Sequence, residues 1–196
     1  MALRVAIQMD PIDSIDINGD STFVLALEAQ RRGHTLFHYQ PHHMSFCDGR
    51  LSARVAPLTV QRVAGDHAHL GARETADLAD MDVVLMRQDP PFDMSYITAT
   101  HLLEHIHPQP LGGSDPVSVR NAPEKLLVTH FEGVMPPTLS TRDPLEIQAF
   151  RDEHKDLIVK PLFGNGGAGV FHLKPDDENL NSLLELFSDM FREPII

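Results

Sequence analysis

Ile158-Val159-Lys160-Pro161-Leu162-Phe163-Gly164-Asn165-Gly166-Gly167-Ala168-Gly169-Val170-Phe171 is the stretch on which the fold turns. Gly164, Gly166 and Gly169 satisfy G-x-G-x-x-G, but that fingerprint requires a helix to start at the glycines, so that its N-terminus faces a pyrophosphate. Here the glycines run into Val170-Phe171-His172-Leu173, a strand-like segment followed by Lys174 and Pro175. The unit therefore reads as strand, glycine loop, strand. A glycine loop at a hairpin tip offers backbone N–H donors with no side chains in the way, which suits it to close over phosphates. Lys160, on the strand that enters the loop, would add a point charge. The plain alternative is a flexible hairpin with an exposed Lys. Four glycines in six positions cost conformational entropy that an ordinary hairpin need not spend.

Outward from this stretch, Asp143-Pro144-Leu145-Glu146 joins a capping residue to a first-turn proline, the start of a helix to His154. Pro123 opens a helix to about Phe131, and Val134 to Ser140 reads as an extended edge carrying two prolines. Leu157 to Leu162 and Val170 to Lys174 are the hairpin strands, Asn179 to Phe191 is a helix, and Pro194-Ile195-Ile196 begins a further strand. Protein kinases place a glycine loop before the lysine strand, the opposite order, and no H-R-D or D-F-G occurs here.

The first half has a different pattern. Leu3 to Met9 is a buried strand ended by Asp10-Pro11. Asp20 or Ser21 caps a helix through Arg32, with Phe23, Val24 and Leu27 on one face, Ala26 a further candidate for it, and Gly33 as the stop, and Thr35 to Tyr39 is the second strand. This order is the start of a parallel α/β unit. Residues 44–63 read as a hairpin about Asp48-Gly49, Asp82 to Arg87 as a core strand, Met94 to Ile106 as a helix, and Pro110 to Pro116 as a hinge.

With 16 Lys+Arg against 28 Asp+Glu, the 196-residue chain carries a formal charge of −12, and 42% of it is hydrophobic. That admits one large or two small globular domains and argues against nucleic acid as the main partner. Cys47 is the single cysteine, which excludes a disulfide scaffold. No run approaches the ~20 apolar residues of a membrane span, and the start lacks the pattern of a signal peptide, so a cytoplasmic address is expected.

Other chemistry reads more weakly. His101-Leu102-Leu103-Glu104-His105 is a literal H-x-x-E-H, but no third ligand presents itself, and a solvated or packed histidine face is the ordinary reading. His42-His43 and His67-Ala68-His69 read as loop residues, and Cys47 lacks a partner that would activate it. Asp10-Pro11 and Arg87-Gln88-Asp89-Pro90-Pro91-Phe92 occupy the C-terminal ends of two parallel strands, where open α/β sheets bind ligands. Asp-Pro also simply ends strands, and spacing does not decide between the two.

Taken together, Met9-Asp10-Pro11, Asp20-Ser21-Thr22-Phe23 with Glu28-Ala29-Gln30-Arg31-Arg32-Gly33, Leu85 through Asp93, Asn121-Ala122-Pro123-Glu124-Lys125-Leu126 and the Lys160 glycine loop resemble the bacterial-type glutathione synthetase family of the ATP-grasp superfamily. The resemblance covers essentially the whole chain. It implies an α/β fold with a Rossmann-like pre-ATP-grasp domain over 1–122, then the small lobe of an ATP-grasp module over 123–196.

The activity it implies is an ATP-dependent C–N ligation of γ-glutamylcysteine and glycine through an acyl phosphate, the last step of glutathione biosynthesis. Lys125, Lys160, Gly164, Asn165, Gly166, Gly167, Ala168 and Gly169 would bind ATP; Asp10, Arg87 and Asp89 would lie on the peptide side. Magnesium is implied as cofactor, with no ligands in this chain: the family's acidic and Asn ligands follow the small lobe, and Ile196 stands about where that segment begins. No Glu-x-Asn occurs before it. An incomplete module is therefore expected, which leaves open a non-catalytic ATP- or peptide-binding fragment, or another ATP-grasp amino-acid ligase. A homo-oligomer is expected from the family. Leu111-Gly112-Gly113-Ser114 departs from the apolar strand ending in Asn that the family carries there.

Overall fold

The computed structural model describes residues 1–108, 111–112, 115–164 and 166–196, with Leu111 and Gly112 described by their backbone. The chain divides into two compact units, Met1–Asp89 with Met94–Asn121, and Pro90–Asp93 with Ala122–Ile196.

The first unit is a sheet with helices on both faces. β1 (Arg4–Gln8) is parallel to β2 (Thr35–Tyr39) on one side and to β7 (Val83–Met86) on the other. Four consecutive residues of β1 are buried, as expected of a strand covered on both faces. Ala6, Tyr39, Val84 and Met86 pack toward α2 (Met94–Glu104), whereas Val5, Ile7 and Leu36 pack toward Phe23 and Ala26 of α1 (Ser21–Arg31). The side-chain period of two along each strand makes these two cores from one sheet.

Asp20 caps α1 by accepting from the Phe23 N–H at 2.6 Å. Thr22, Phe23 and Ala26 are its buried residues, with Leu27 half-buried beside them, while Val24 is 49% exposed. The expected face was thus one position wide of the mark: at 100° per residue, Val24 swings out of the stripe that Phe23 and Ala26 define.

The Asp48-Gly49 turn joins β3 (Met44–Cys47) to β4 (Arg50–Val60), with φ of 48° and 79° at the two turn residues, the mirror-image geometry that twists with a hairpin. β4 is the busiest strand, pairing with β2, β3, β5 (Ala68–Leu70) and β6 (Glu74–Asp77). β5 corrects the loop reading of Ala68 and His69, which pair with Val60 and Thr59, while His67 remains in the preceding loop. The hinge expected over Pro110 to Pro116 is also corrected. Leu111–Gly112 forms β8, parallel to β7, and α3 (Pro116–Asn121) follows; Pro110, Gly113 and Ser114 of that reading lie outside the described residues.

In the second unit Pro123 stands just before α4 (Glu124–Leu127), which tightens into a 3-10 turn over Val128–His130. No strand forms over Val134 to Ser140; Pro136 and Pro137 supply no N–H to a ladder, and only Thr141 pairs, with Ile195. Asp143 caps α5 (Pro144–His154) through the Leu145 N–H at 2.9 Å. β9 (Leu157–Val159) and β10 (Phe171–Leu173) form the antiparallel hairpin, and α6 (Leu180–Met190) packs Leu180, Leu183, Leu184 and Phe187 against it. The chain end extends the sheet: Lys160 and Ile196 exchange backbone hydrogen bonds at 2.8 and 3.0 Å.

Candidate functional site

The hairpin tip is shaped by left-handed backbone. Gly166, Gly167 and Gly169 have φ of 59°, 78° and 71°, a region where a side chain is strained. Gly164 is required by proximity: a Cβ there would lie 2.9 Å from the Pro161 ring. Gly166, Gly167 and Ala168 are exposed, and Asn165 lies outside the described residues. Phe163 packs against Phe92 with ring centres 5.6 Å apart and planes tilted by 40°, bringing the Pro90–Asp93 segment onto the base of this hairpin within the second unit.

Lys125 reaches the same loop from α4. Its Nζ donates to the carbonyl oxygens of Gly164 at 2.6 Å and Leu162 at 3.3 Å, leaving one N–H of the ammonium uncommitted. Lys160 is half-buried, and among the described residues its ammonium has no acceptor and no carboxylate partner. Both lysines line a cavity of about 660 Å³ in the second unit, with Val128, Met135, Ile158 and Leu139 on its wall. Two ammonium groups at the rim of a largely apolar hollow suit a ligand with a flat apolar body and an anionic tail.

In the first unit, three predicted residues meet at the C-terminal ends of β1 and β7. Asp10 Oδ2 accepts from the Asp89 N–H at 2.7 Å, and Arg87 N donates to Gln8 O at 2.7 Å. The Arg87 guanidinium is held by the hydroxyls of Ser21 at 2.7 Å and Thr22 at 3.0 Å, and the fully buried Gln8 amide donates to Gln88. Partial burial and the carboxylates of Asp10 and Asp20 push the Asp89 carboxyl above its ordinary value, against the pull of Arg87. The supports from Gln8, Ser21 and Thr22 were not read from the sequence. They depend on three chain segments meeting at one sheet edge, which no local pattern signals.

The H-x-x-E-H segment is structural. Glu104 takes a two-pronged bond from Arg120 at 2.9 and 3.2 Å, His101 sits 3.1 Å from the same carboxylate, and His105 stacks on Phe46. Magnesium takes hard oxygen ligands, usually one or two carboxylates with phosphate oxygens. No group of three or more His, Cys, Asp or Glu that could hold a metal occurs among the described residues. On the cavity wall, Asp156 is engaged by His172 at 2.6 Å, which leaves Glu124. These residues do not by themselves fit a magnesium ion. No helix among the described residues is long and apolar enough to cross a membrane.

Residues 3–126 match the family model of the prokaryotic glutathione synthetase N-terminal domain, and residues 124–196 match that of its ATP-grasp domain. The chain is 60% identical over its whole length to a glutathione synthetase of Brucella melitensis and 58% identical to one of Mesorhizobium japonicum, spanning 63% of the length of each. A Salmonella typhimurium glutathione synthetase is 38% identical over 96% of the chain, which spans 60% of that protein. Among solved structures, a RimK-domain ATP-grasp protein of Sphaerobacter thermophilus aligns over 98% of this chain and 62% of its own, with a TM-score of 0.59 at 16% identity, a likeness of fold. Matched along residues 3–196 by the two domain models in their expected order, the chain belongs to the prokaryotic glutathione synthetase family.

Proposed function

We propose that the second unit binds the adenine nucleotide of an ATP-dependent ligation, and that the complete protein joins γ-glutamylcysteine to glycine as a glutathione synthetase. The observation that carries this reading is the pairing of Lys125, which holds the glycine loop by its Leu162 and Gly164 carbonyls, with Lys160, whose ammonium is uncommitted on the same cavity wall. The apolar wall takes the base, and Lys160 and the peptide N–H groups of the loop take the phosphates.

The γ-phosphoryl group passes to the cysteinyl carboxylate, giving an acyl phosphate and ADP. The glycine amine then attacks that carbonyl carbon, phosphate leaves, and the amine gives up a proton as the amide forms. Lys160 neutralises charge that spreads over the transferring group, and the loop shields the acyl phosphate from water. The chemistry needs positioned charge more than a protein nucleophile. Magnesium would add charge neutralisation in the complete protein; the described residues do not form its site, and no step here depends on it. The Asp10, Arg87 and Asp89 edge of the first unit is the proposed peptide face, with the guanidinium suited to a carboxylate.

Titrating ATP and NAD against the chain tests the nucleotide assignment. Lys160→Ala is expected to weaken ATP roughly 10- to 100-fold, the worth of one charge-assisted contact. NAD binding that depends on Gly169 and ignores Lys160 would instead support a dinucleotide turn. Phosphate release that requires both γ-glutamylcysteine and glycine tests the reaction; turnover with alanine or glutamate in place of glycine would assign a different ligase.

A further inference from the structure

Basic groups of the first unit gather at one place that the ligation does not use. β2 is followed by Gln40 and the turn Pro41–His43, β4 carries Arg54, and Arg73 precedes β6. His38 lies opposite Ala56 and Arg54 opposite Thr75, so the period of two puts His38, Ala56 and Arg54 on one face. Glu74 lies opposite Val55, which is buried in the core on the other face, so this carboxylate points away from Arg54.

Arg73 NH1 donates to the Arg54 carbonyl at 3.3 Å and lies 3.5 Å from His43 Nδ1, which also accepts from the Gln40 N–H at 3.1 Å. The His42 ring packs on His43 with centres 4.1 Å apart. Elsewhere in the unit, Glu28 takes Arg31 and Arg32, Asp77 takes Arg50, and Glu104 takes Arg120. Arg54 and Arg73 have no carboxylate partner among the described residues, although the chain carries a net −12. The local field is correspondingly positive. His43 is held down to about 4 by desolvation first, and then by Arg73, His42, His38 and Arg54. Asp13 is the acidic group felt at His38.

We propose that Arg54, Arg73 and the His42-His43 pair form a binding site for a small oxyanion of the phosphate type, built from residues none of which lines the second unit's cavity. Arg54 offers a guanidinium fork that makes no ion pair among the described residues, Arg73 offers the N–H groups beyond NH1, and both charges are felt at His43, so an oxyanion beside that ring meets two donors of the kind that bind tetrahedral anions. An anion there opposes the field that keeps His43 neutral, so binding is linked to an upward shift of that imidazole.

Histidine side-chain NMR of the full chain, titrated with inorganic phosphate at constant ionic strength, reads this directly. The expected result is a saturable shift at His42 and His43, none at His34 on the far end of β2, and at least tenfold weaker saturation in each of Arg54→Gln and Arg73→Gln. Lys160→Ala should leave the shift intact. A response that chloride reproduces, that survives both arginine substitutions, or that Lys160→Ala abolishes would overturn the proposal. The two substitutions are made separately, and the wild-type comparison with chloride decides the matter even if either variant misfolds.

Discussion

Asp89 shows how position sets the titration of an exposed side chain. It is exposed, yet neighbouring atoms and the carboxylates of Asp10 and Asp20 hold its carboxyl above the ordinary value. A raised carboxyl binds its proton more tightly when folded, so stability falls as pH rises through the window above 3.8. Asp89→Asn is therefore expected to raise the unfolding free energy slightly at pH 7, by no more than about 0.5 kcal/mol at so exposed a site, read in urea denaturation, with the gain gone below the carboxylate range. Peptide affinity should fall in the same variant. His43 has the opposite sense. Its imidazole is kept neutral down to about 4, against a reference of 6.5, so the unfolded chain binds the extra proton first and stability is lost as pH falls from 6.5 to 4. His43→Gln, which retains an acceptor for the Gln40 N–H, should flatten that acid limb in urea midpoints measured at pH 7 and pH 5.

Among the elements, those with local punctuation were the legible ones. Asp20 and Asp143 read as caps and are caps, Asp48-Gly49 reads as a tight turn and is one, and the hairpin about the glycine loop forms where the failed dinucleotide fingerprint placed it. Asp143→Ala should cost about 1 kcal/mol in chemical denaturation by freeing the first turn of α5. The misreadings share a cause: β5 and β8, read as loop and hinge, are three and two residues long, and each exists because a neighbouring strand, β4 or β7, offers it a ladder. No periodicity can show in so few residues. Val134 to Ser140 failed in the other direction, since extended and proline-rich sequence needs a partner that does not come. In the loop, Gly167 sits at φ 78° with open space around its missing Cβ, so Gly167→Ala acts by backbone strain alone. About 1–2 kcal/mol of loop destabilisation is expected, and it should appear as weaker nucleotide binding with unchanged circular dichroism.

Across the molecule, the two units follow the two family models except at Pro90–Asp93, which lies in the N-terminal match and joins the second unit. The fold class was legible because its signals are repeated: buried strands at one end, capped helices, and a glycine loop whose context excludes a helix. The site was legible only in part. Lys160 and the glycines announce themselves, whereas the Lys125 contacts depend on two carbonyl oxygens 37 and 39 residues away. The net charge of −12 gives no long-range attraction for an anion, so the proposed nucleotide reading rests on local charge, and among the described residues the Lys160 ammonium has no carboxylate partner. The most direct test of the account is calorimetric titration of ATP into the chain and into Lys160→Ala. The account predicts saturable binding by the wild type and a roughly 10- to 100-fold loss in the variant, with its fold unchanged; equal affinity in the two proteins would contradict it.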